Sequence, residues 1–438
     1  MRKTVEPIYD AIIVGSGLAG LSCAKRLASQ GFSFLILESS DAIGGRVRSD
    51  YIDGFTLDRG FQVLLTAYPE AASTLDYEKL DLKPFLPGAL INDGKYFIRL
   101  SDPFKEPASF LSMMVSNIAS LADKLRVAYL RQKVMSSTIE QIFSQPDKTI
   151  MQSLKEYGFS DNMITRFFKP FFGGITLDNT LSGSNRMFEF VYKMMAEGQV
   201  TVPSGGMGKI SQQLASGFAK DSIRLSSRVA SIDPVKAQVT LASGESFLAR
   251  AIVIATDSAS ASDLTSLVQP RPAKMATCLY FAADKAPISE PVLVLNGADK
   301  DTGPINNLAV LTNVAKSYGP EGKHLISVTV LGQLPAGHKN EELESSFEAQ
   351  LIKDVLAQAK TWFGEQVDGW QHLKSYRIAN ALPDQSPPWL ETERPTRLAD
   401  GLYVCGDFRE NASINGALVS GRKAAEALVA DLKVATCK

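Results

Sequence analysis

The hydrophobic pattern of the first forty residues changes period twice. Tyr9 to Val14 (YDAIIV) is a β-branched run of the kind that forms a strand buried on both faces. Leu21, Ala24, Leu27 and Ala28 then recur at helical spacing until Gly31 supplies a stop. Phe32 to Glu38 (FSFLILE) returns to a continuous apolar run and ends in an acid. The pattern predicts a strand–helix–strand unit, and Gly15, Gly17 and Gly20 fall between its first strand and its helix in G-x-G-x-x-G spacing.

Three later stretches are also patterned. Leu111, Met114, Ile118, Leu121, Leu125 and Ala128 alternate three and four apart, which predicts one amphipathic helix over 107–131. Its other face carries Ser112, Ser116, Asn117 and Ser120, with Lys124, Arg126 and Arg131 gathered toward one end. IRLSSRVASI and VTLASGESFLARAIVIATD alternate apolar and polar residues around an Ala-Ser-Gly-Glu turn and read as strands of a small sheet. From Gly303 to Leu331 apolar runs fit strands that floor the cavity and Gly319-Pro320 fits a turn, with Asn306 and Asn307 read as turn residues and contact with the substrate as their alternative role.

Composition narrows the partners. The 438 residues hold 46 basic and 47 acidic side chains for a net charge of -1, so no global field recruits nucleic acid or an anionic membrane. Cys23, Cys278, Cys405 and Cys437 are scattered without C-x-x-C spacing, and three histidines form no ligand cluster with them. The expectation is a metal-free, intracellular, cytoplasmic chain. Met1 to Asp10 is too short and too charged for a secretory signal. No apolar run reaches the roughly 20 residues of a membrane span.

The glycine fingerprint has a physical reading. Gly15 makes a tight turn, Gly17 lets backbone approach a pyrophosphate, and Gly20 lets helix and strand pack closely. The helix start offers free N–H groups and the positive end of its dipole. Glu38, 18 residues past Gly20, is placed to accept ribose hydroxyls and would repel a 2′-phosphate, which disfavours NADP. Beyond it Gly44-Gly45-Arg46 sets a flexible turn and a guanidinium beside the phosphate site.

With that turn, the sequence resembles the superfamily of flavin-containing amine oxidases, phytoene desaturases and protoporphyrinogen oxidases. FTLDRGFQVL (55–64) is similar to the family segment that passes near the isoalloxazine ring. VTVPSGGMGKISQQLA (200–215) is similar to its Pro-x-Gly-Gly-Met stretch. GLYVCGDFRENASINGALVSGRKAAEALV (401–429) is similar to its C-terminal flavin motif. The resemblance spans essentially the whole chain and implies a Rossmann-like α/β FAD-binding domain with a second, mixed-sheet and helical substrate domain. The implied division is 1–75, 198–265 and 375–438 for FAD, and 76–197 and 266–374 for substrate. Implied FAD contacts are Gly15, Gly17, Ala19, Gly20, Glu38, Gly45, Arg46, Gly60, Phe61, Gln62, Val229 through its backbone, Gly406, Asp407, Ile414 and Asn415. The helix opening near Asn415 would direct its N-terminus at flavin N1 and O2, where negative charge gathers on reduction.

The resemblance also bears on the reaction. Family amine oxidases commonly hold a lysine near flavin N5, on a strand that best matches KMATCLYFAADKAP (274–287), with Thr277 at the lysine position and Lys274 close by. They also flank the flavin with aromatics, for which Phe408, Tyr376 and Trp389 are the candidates. GDFRENASINGALVSG, with Asp407, Ser413, Gly416 and Ser420 in register, is closer to the desaturase form. RFFKPFFGGITLDNTLSGSNRMFEFVYKMM (166–195), dense in Phe and Met, resembles the family segment that contributes an apolar tunnel. The expectation is an FAD-dependent enzyme that dehydrogenates or isomerises an apolar, unsaturated substrate such as a carotenoid or isoprenoid, with a quinone as acceptor. An amine oxidase or a protoporphyrinogen oxidase-like enzyme is the alternative, and a non-enzymatic lipid-binding escort protein is the third reading. The 107–131 helix is expected to cap the substrate cavity, with peripheral membrane contact as the other role. No catalytic residue is assigned.

Overall fold

The computed structural model describes residues 9–102, 104–106, 118–298, 303–332, 341–388 and 394–436. Two large sheets organise it. In the first, of eight strands, Tyr9–Val14 lies parallel between Phe34–Leu37 and Ser246–Ile254, with Ile223–Arg224 beyond the former and Leu402–Val404 beyond the latter. Because both faces of the sheet centre are covered, the paired stretches there are unbroken apolar runs: Ala11–Val14, Phe34–Leu37, Ala251–Ile254 and Leu402–Val404. Ala11, Ile13 and Ile36 point to one side, where helices Leu18–Ser29 and Ile414–Thr436 pack. Ile12, Val14, Leu35 and Leu37 point to the other, against Val239 and Leu241.

The small sheet expected around residues 223–256 is not separate. Ser246–Ile254 pairs antiparallel with Gln238–Leu241 through its first third, Ser246 to Leu248, and parallel with Tyr9–Val14 from Ala249 onward, fusing the hairpin strands to the nucleotide sheet. One long strand serves two neighbours.

The second sheet has seven strands in the order Gln371–Pro383, Ala273–Ala283, His324–Leu331, Ile305–Val310, Leu293–Asn296, Gly88–Asn92, Phe97–Ser101. Period-2 alternation divides its faces. Leu279, Phe281, Leu308 and Val328 pack on helix Glu341–Phe363 through Leu351, Val355 and Ala359. Cys278 and Tyr280 turn the other way, toward a block of helices that includes Leu121–Ser136, Lys169–Thr176 and Asn185–Glu197. A π-helical turn, Ile164–Phe168, leads directly into the second of these, and such turns often re-aim side chains at functional sites.

The single helix expected over 107–131 is interrupted before Leu121. Residues 107–117 lie outside the described residues, and 118–120 are not helical. Ser120 caps helix Leu121–Ser136: its hydroxyl accepts from the Asp123 N–H while the Asp123 carboxylate accepts from the Ser120 N–H. That reciprocal cap fixes a helix start in the middle of the apolar stripe. Ile118 is consequently buried ahead of the cap, whereas Leu121 and Leu125 are 63% and 66% exposed. No described helix is long and apolar enough to cross a membrane.

Candidate active site

The site begins where strand Tyr9–Val14 ends. Gly15 adopts φ +104, and a Cβ there would meet the Ala255 carbonyl oxygen at 3.0 Å. At Gly20 a Cβ would stand 2.1 Å from the Gly15 carbonyl oxygen, so the first turn of the helix rests on the loop itself. Gly17 faces open space, with nothing within 4 Å of a would-be Cβ. It is the N-cap of Leu18–Ser29, makes no side-chain cap and is followed by no acid in the first turn. The N–H groups and positive dipole end of this helix are therefore available to an anion.

Two further groups shape this cradle. Glu38 accepts from the Ser16 N–H (2.8 Å) and hydroxyl (2.7 Å) through one oxygen, and from the Ser40 N–H (2.9 Å) and hydroxyl (2.8 Å) through the other. Burial alone would raise its pKa, but these bonds outweigh it and hold the carboxyl below its usual value, ionised at neutral pH. Arg46 reaches from the second glycine turn to Asp407 at 2.8 Å and donates to the Ala381 carbonyl at 3.0 Å. The Gln62 amide donates to the carbonyls of Arg46 (2.8 Å) and Arg59 (3.1 Å), tying the segment after Asp58 to the same turn.

From the cradle a single cavity of about 1560 Å³ continues between the helical block and the second sheet. Ligand pockets commonly measure roughly 300–1,000 Å³, so this one has room for a cofactor and a substrate together. Phe167 and Phe171, stacked with centroids 5.2 Å apart, line its helical side together with Phe168 and Met195. Ala276, Cys278, Thr329 and Asn307 line the sheet side, and Leu121 and Leu125 line the cavity where they are exposed.

Asp58 is buried at the seam between the two regions. Its carboxylate accepts from Ser49 Oγ (2.5 Å), Tyr318 OH (2.8 Å) and the Met207 N–H (2.8 Å), and its carbonyl from Tyr280 OH (2.9 Å). Burial dominates over these bonds and lifts its pKa from the ordinary 3.8 to about 6.

Of the residues expected to hold the cofactor, Gly15, Gly17, Ala19, Glu38, Gly45, Arg46, Gly60, Phe61, Gln62, Gly406, Asp407 and Ile414 line this cavity together. Gly20 does not; it supports the cradle from behind. Val229 pairs with Leu241 at the edge of the fused hairpin and is not part of the lining. The Asn415 side chain turns away to accept from the Glu70 N–H at 2.9 Å, capping helix Pro69–Thr74.

The expected reaction-side residues are placed differently. Thr277 shares the face of Leu279 and Phe281, away from the cavity, while its neighbours Ala276 and Cys278 face in. Lys274 is held by Asp178 (3.3 Å) and Asp384 (3.6 Å) outside the lining. Phe408 is folded beneath Gly406, and Tyr376 donates to Asp50 at 2.8 Å; neither lines the cavity. Trp389 lies outside the described residues. Asn306 and Asn307 are not turn residues but buried members of strand Ile305–Val310. Ala255, Thr256 and Asp257, which follow the long strand into the cradle, were not among the expected contacts; Ser413, expected only as part of the C-terminal motif's register, lines the cavity beside Ile414. The Ala-Thr-Asp after an apolar strand was the available signal.

The residues present fit a flavin dinucleotide: an open glycine and an uncapped helix start for the diphosphate, an ionised carboxylate for a ribose, and a cavity that runs on past Arg46 and Asp407. Fold and site define an FAD-dependent oxidoreductase, in which bound FAD would supply the oxidation of a substrate bond. Comparison with known proteins agrees. The pattern of the flavin containing amine oxidoreductase family matches residues 18–429, and the chain belongs to that family. It is 25% identical over 165 residues to protoporphyrinogen oxidase 2, chloroplastic/mitochondrial, of Arabidopsis thaliana, covering 37% of this chain and 31% of the relative. It is 34% identical over 100 residues to a phytoene desaturase of Cercospora nicotianae, covering 21% of this chain and 16% of the relative. These matches span less than a third of either relative's length. An oxidoreductase of Methanosarcina mazei shares the fold at TM-score 0.73 and 19% identity, over 95% of this chain and 99% of that one.

Proposed function

We propose that this protein acts on an apolar, unsaturated substrate of the carotenoid or isoprenoid type, either dehydrogenating it and passing the two electrons to a quinone, or isomerising it with no net transfer of electrons. One observation carries the reading: the lining contributed by residues 163–196 and by the seven-stranded sheet holds no charged side chain. An ammonium ion drawn against these walls would lose its hydration without gaining a partner there, and the acids Asp102, Glu106 and Glu197, which line other parts of the cavity, are already paired with Arg131, Arg99 and Lys193, whereas an isoprenoid loses nothing. Lys274 is engaged elsewhere, and the inward residues of its strand are Ala276 and Cys278. The exposed Leu121 and Leu125, beside Lys124, are suited to taking an apolar substrate from a membrane surface. The match to a protoporphyrinogen oxidase keeps a porphyrinogen as the alternative substrate.

The test is anaerobic titration of the purified holoenzyme, followed by flavin absorbance, with panels of polyenes, amines and a porphyrinogen. Bleaching by a polyene is the expected result. Bleaching by an amine or the porphyrinogen, with every polyene inert, would overturn the reading.

A further inference from the structure

The sheet side of the chamber carries a polar row in otherwise apolar surroundings. Cys278, Thr329 and Asn307 sit side by side on three neighbouring strands, Cys278 opposite Thr329 and Asn307 opposite Thr329 from the other side. All three line the cavity. The register of Ile305–Val310 shifts between Ile305 and Asn307, so Asn306 is the extra residue of a β-bulge. Bulges re-aim side chains, and this one lets two consecutive asparagines meet although successive residues of a regular strand point to opposite faces. Gly174 makes room for them: a Cβ there would come within 2.9 Å of Asn306 Nδ2 and 3.1 Å of Asn307 Oδ1.

The hydrogen bonds along this group run in one direction. The Pro170 carbonyl can only accept, so the group facing it at 3.0 Å is the Asn306 amide nitrogen. That nitrogen also donates to Asn307 Oδ1 at 2.9 Å, which leaves Asn307 Nδ2 to donate to Thr329 Oγ at 3.2 Å. Asn306, Asn307 and Thr329 are only 4%, 3% and 5% exposed. Thr329 Oγ is thereby committed as an acceptor, and its own proton remains to be given. Cys278, the third member of the row, lies 3.3 Å from Ser327 Oγ, and burial pushes its thiol pKa up to about 11, so it stays neutral.

We infer that the chamber selects substrates bearing a neutral oxygen that accepts a hydrogen bond, a carbonyl or hydroxyl, and that Thr329 donates to it. This rests on the apolar-substrate reading and narrows it. A pure hydrocarbon would leave a buried donor unmatched, and an ammonium has no lone pair to offer. Adjacent strands are about 4.8 Å apart, so the oxygen lies about one strand spacing from Cys278.

The experiment uses holoenzyme of measured FAD content and follows the bound flavin's absorbance as ligand is added. The probes are a long-chain isoprenoid ketone and the hydrocarbon with CH₂ in place of its C=O. In the natural protein the ketone should bind about tenfold tighter. Thr329→Val, which keeps the shape and removes the hydroxyl, should erase that preference by weakening the ketone alone. Thr329→Ser should retain it. Equal binding of the two probes to the natural protein, or an undiminished preference in Thr329→Val, overturns oxygen selection while leaving the apolar reading intact. Failure of both probes to bind overturns both.

Discussion

At the cradle, Gly20 leaves 2.1 Å between a would-be Cβ and the Gly15 carbonyl; on the helical wall of the chamber, Phe167 and Phe171 stack with ring centroids 5.2 Å apart. The first region is made of backbone pressed on backbone. The second is made of side chains, supplied by a helical block and a sheet that approach from opposite sides. Backbone contacts admit few sequences, so the cradle keeps a short, rigid spelling. Side-chain walls can be repacked at constant volume, so the chamber is where one family can change substrates without changing its fold.

The largest expected effect tests the rigid side. Gly20→Val pushes two branches into the Gly15 carbonyl and should cost about 4 kcal/mol or more, or prevent folding outright. The measurement is FAD retained through purification together with the thermal midpoint. Normal FAD content at an unchanged midpoint would mean that the cradle is as forgiving as the chamber.

Asp58, at the seam, gives an intermediate effect. Its carboxyl is neutral in the fold up to about pH 6 but ionises near 3.8 when unfolded. Between these values the folded state holds the extra proton, so stability falls as pH rises from about 4 to about 6. A shift of about two units corresponds to about 3 kcal/mol. Denaturant titrations of natural protein and Asp58→Asn across that window should diverge by this amount, with the natural protein losing stability toward higher pH. Parallel curves would show that the Ser49, Tyr318 and Met207 bonds already offset the burial.

The smallest effect concerns the face of one strand. Thr277→Val replaces a side chain that points away from the chamber, so flavin reduction by whichever substrate bleaches it should stay within about twofold, and stability within about 1 kcal/mol. A loss beyond tenfold would put Thr277 over the cofactor after all and turn the strand by one residue.

This contrast also explains what could be read in the sequence. The strand–helix–strand unit, the glycine spacing, Glu38, Arg46 and Asp407 were legible because each belongs to a short motif with fixed offsets, even where its contact, as between Arg46 and Asp407, joins two distant motifs. Asn415 was legible as the opening of a helix, but the partner of its side chain was not, because that side chain caps a helix 345 residues earlier in the chain. The Ser120 cap was written in the sequence as Ser-Leu-Ala-Asp but overruled by the longer apolar stripe. Asn306 and Asn307 carry ordinary turn chemistry; only the bulge and Gly174, on another element, make them part of a wall. Chamber residues meet through tertiary packing, and no local period encodes that.

The link from Arg46 to the Ala381 carbonyl and to Asp407 has a consequence in time as well as space. Strand Tyr9–Val14 gains Phe34–Leu37 early but cannot acquire its second neighbour until residue 254 has been made, nor can Arg46 meet its carboxylate until residue 407 has left the ribosome. At synthesis rates of about 5–20 residues per second, the N-terminal glycine turn waits tens of seconds for its partners. High contact order of this kind slows folding. Cofactor capture is accordingly a late event in the life of the chain, and the most recognisable segment of its sequence is among the last to become a site.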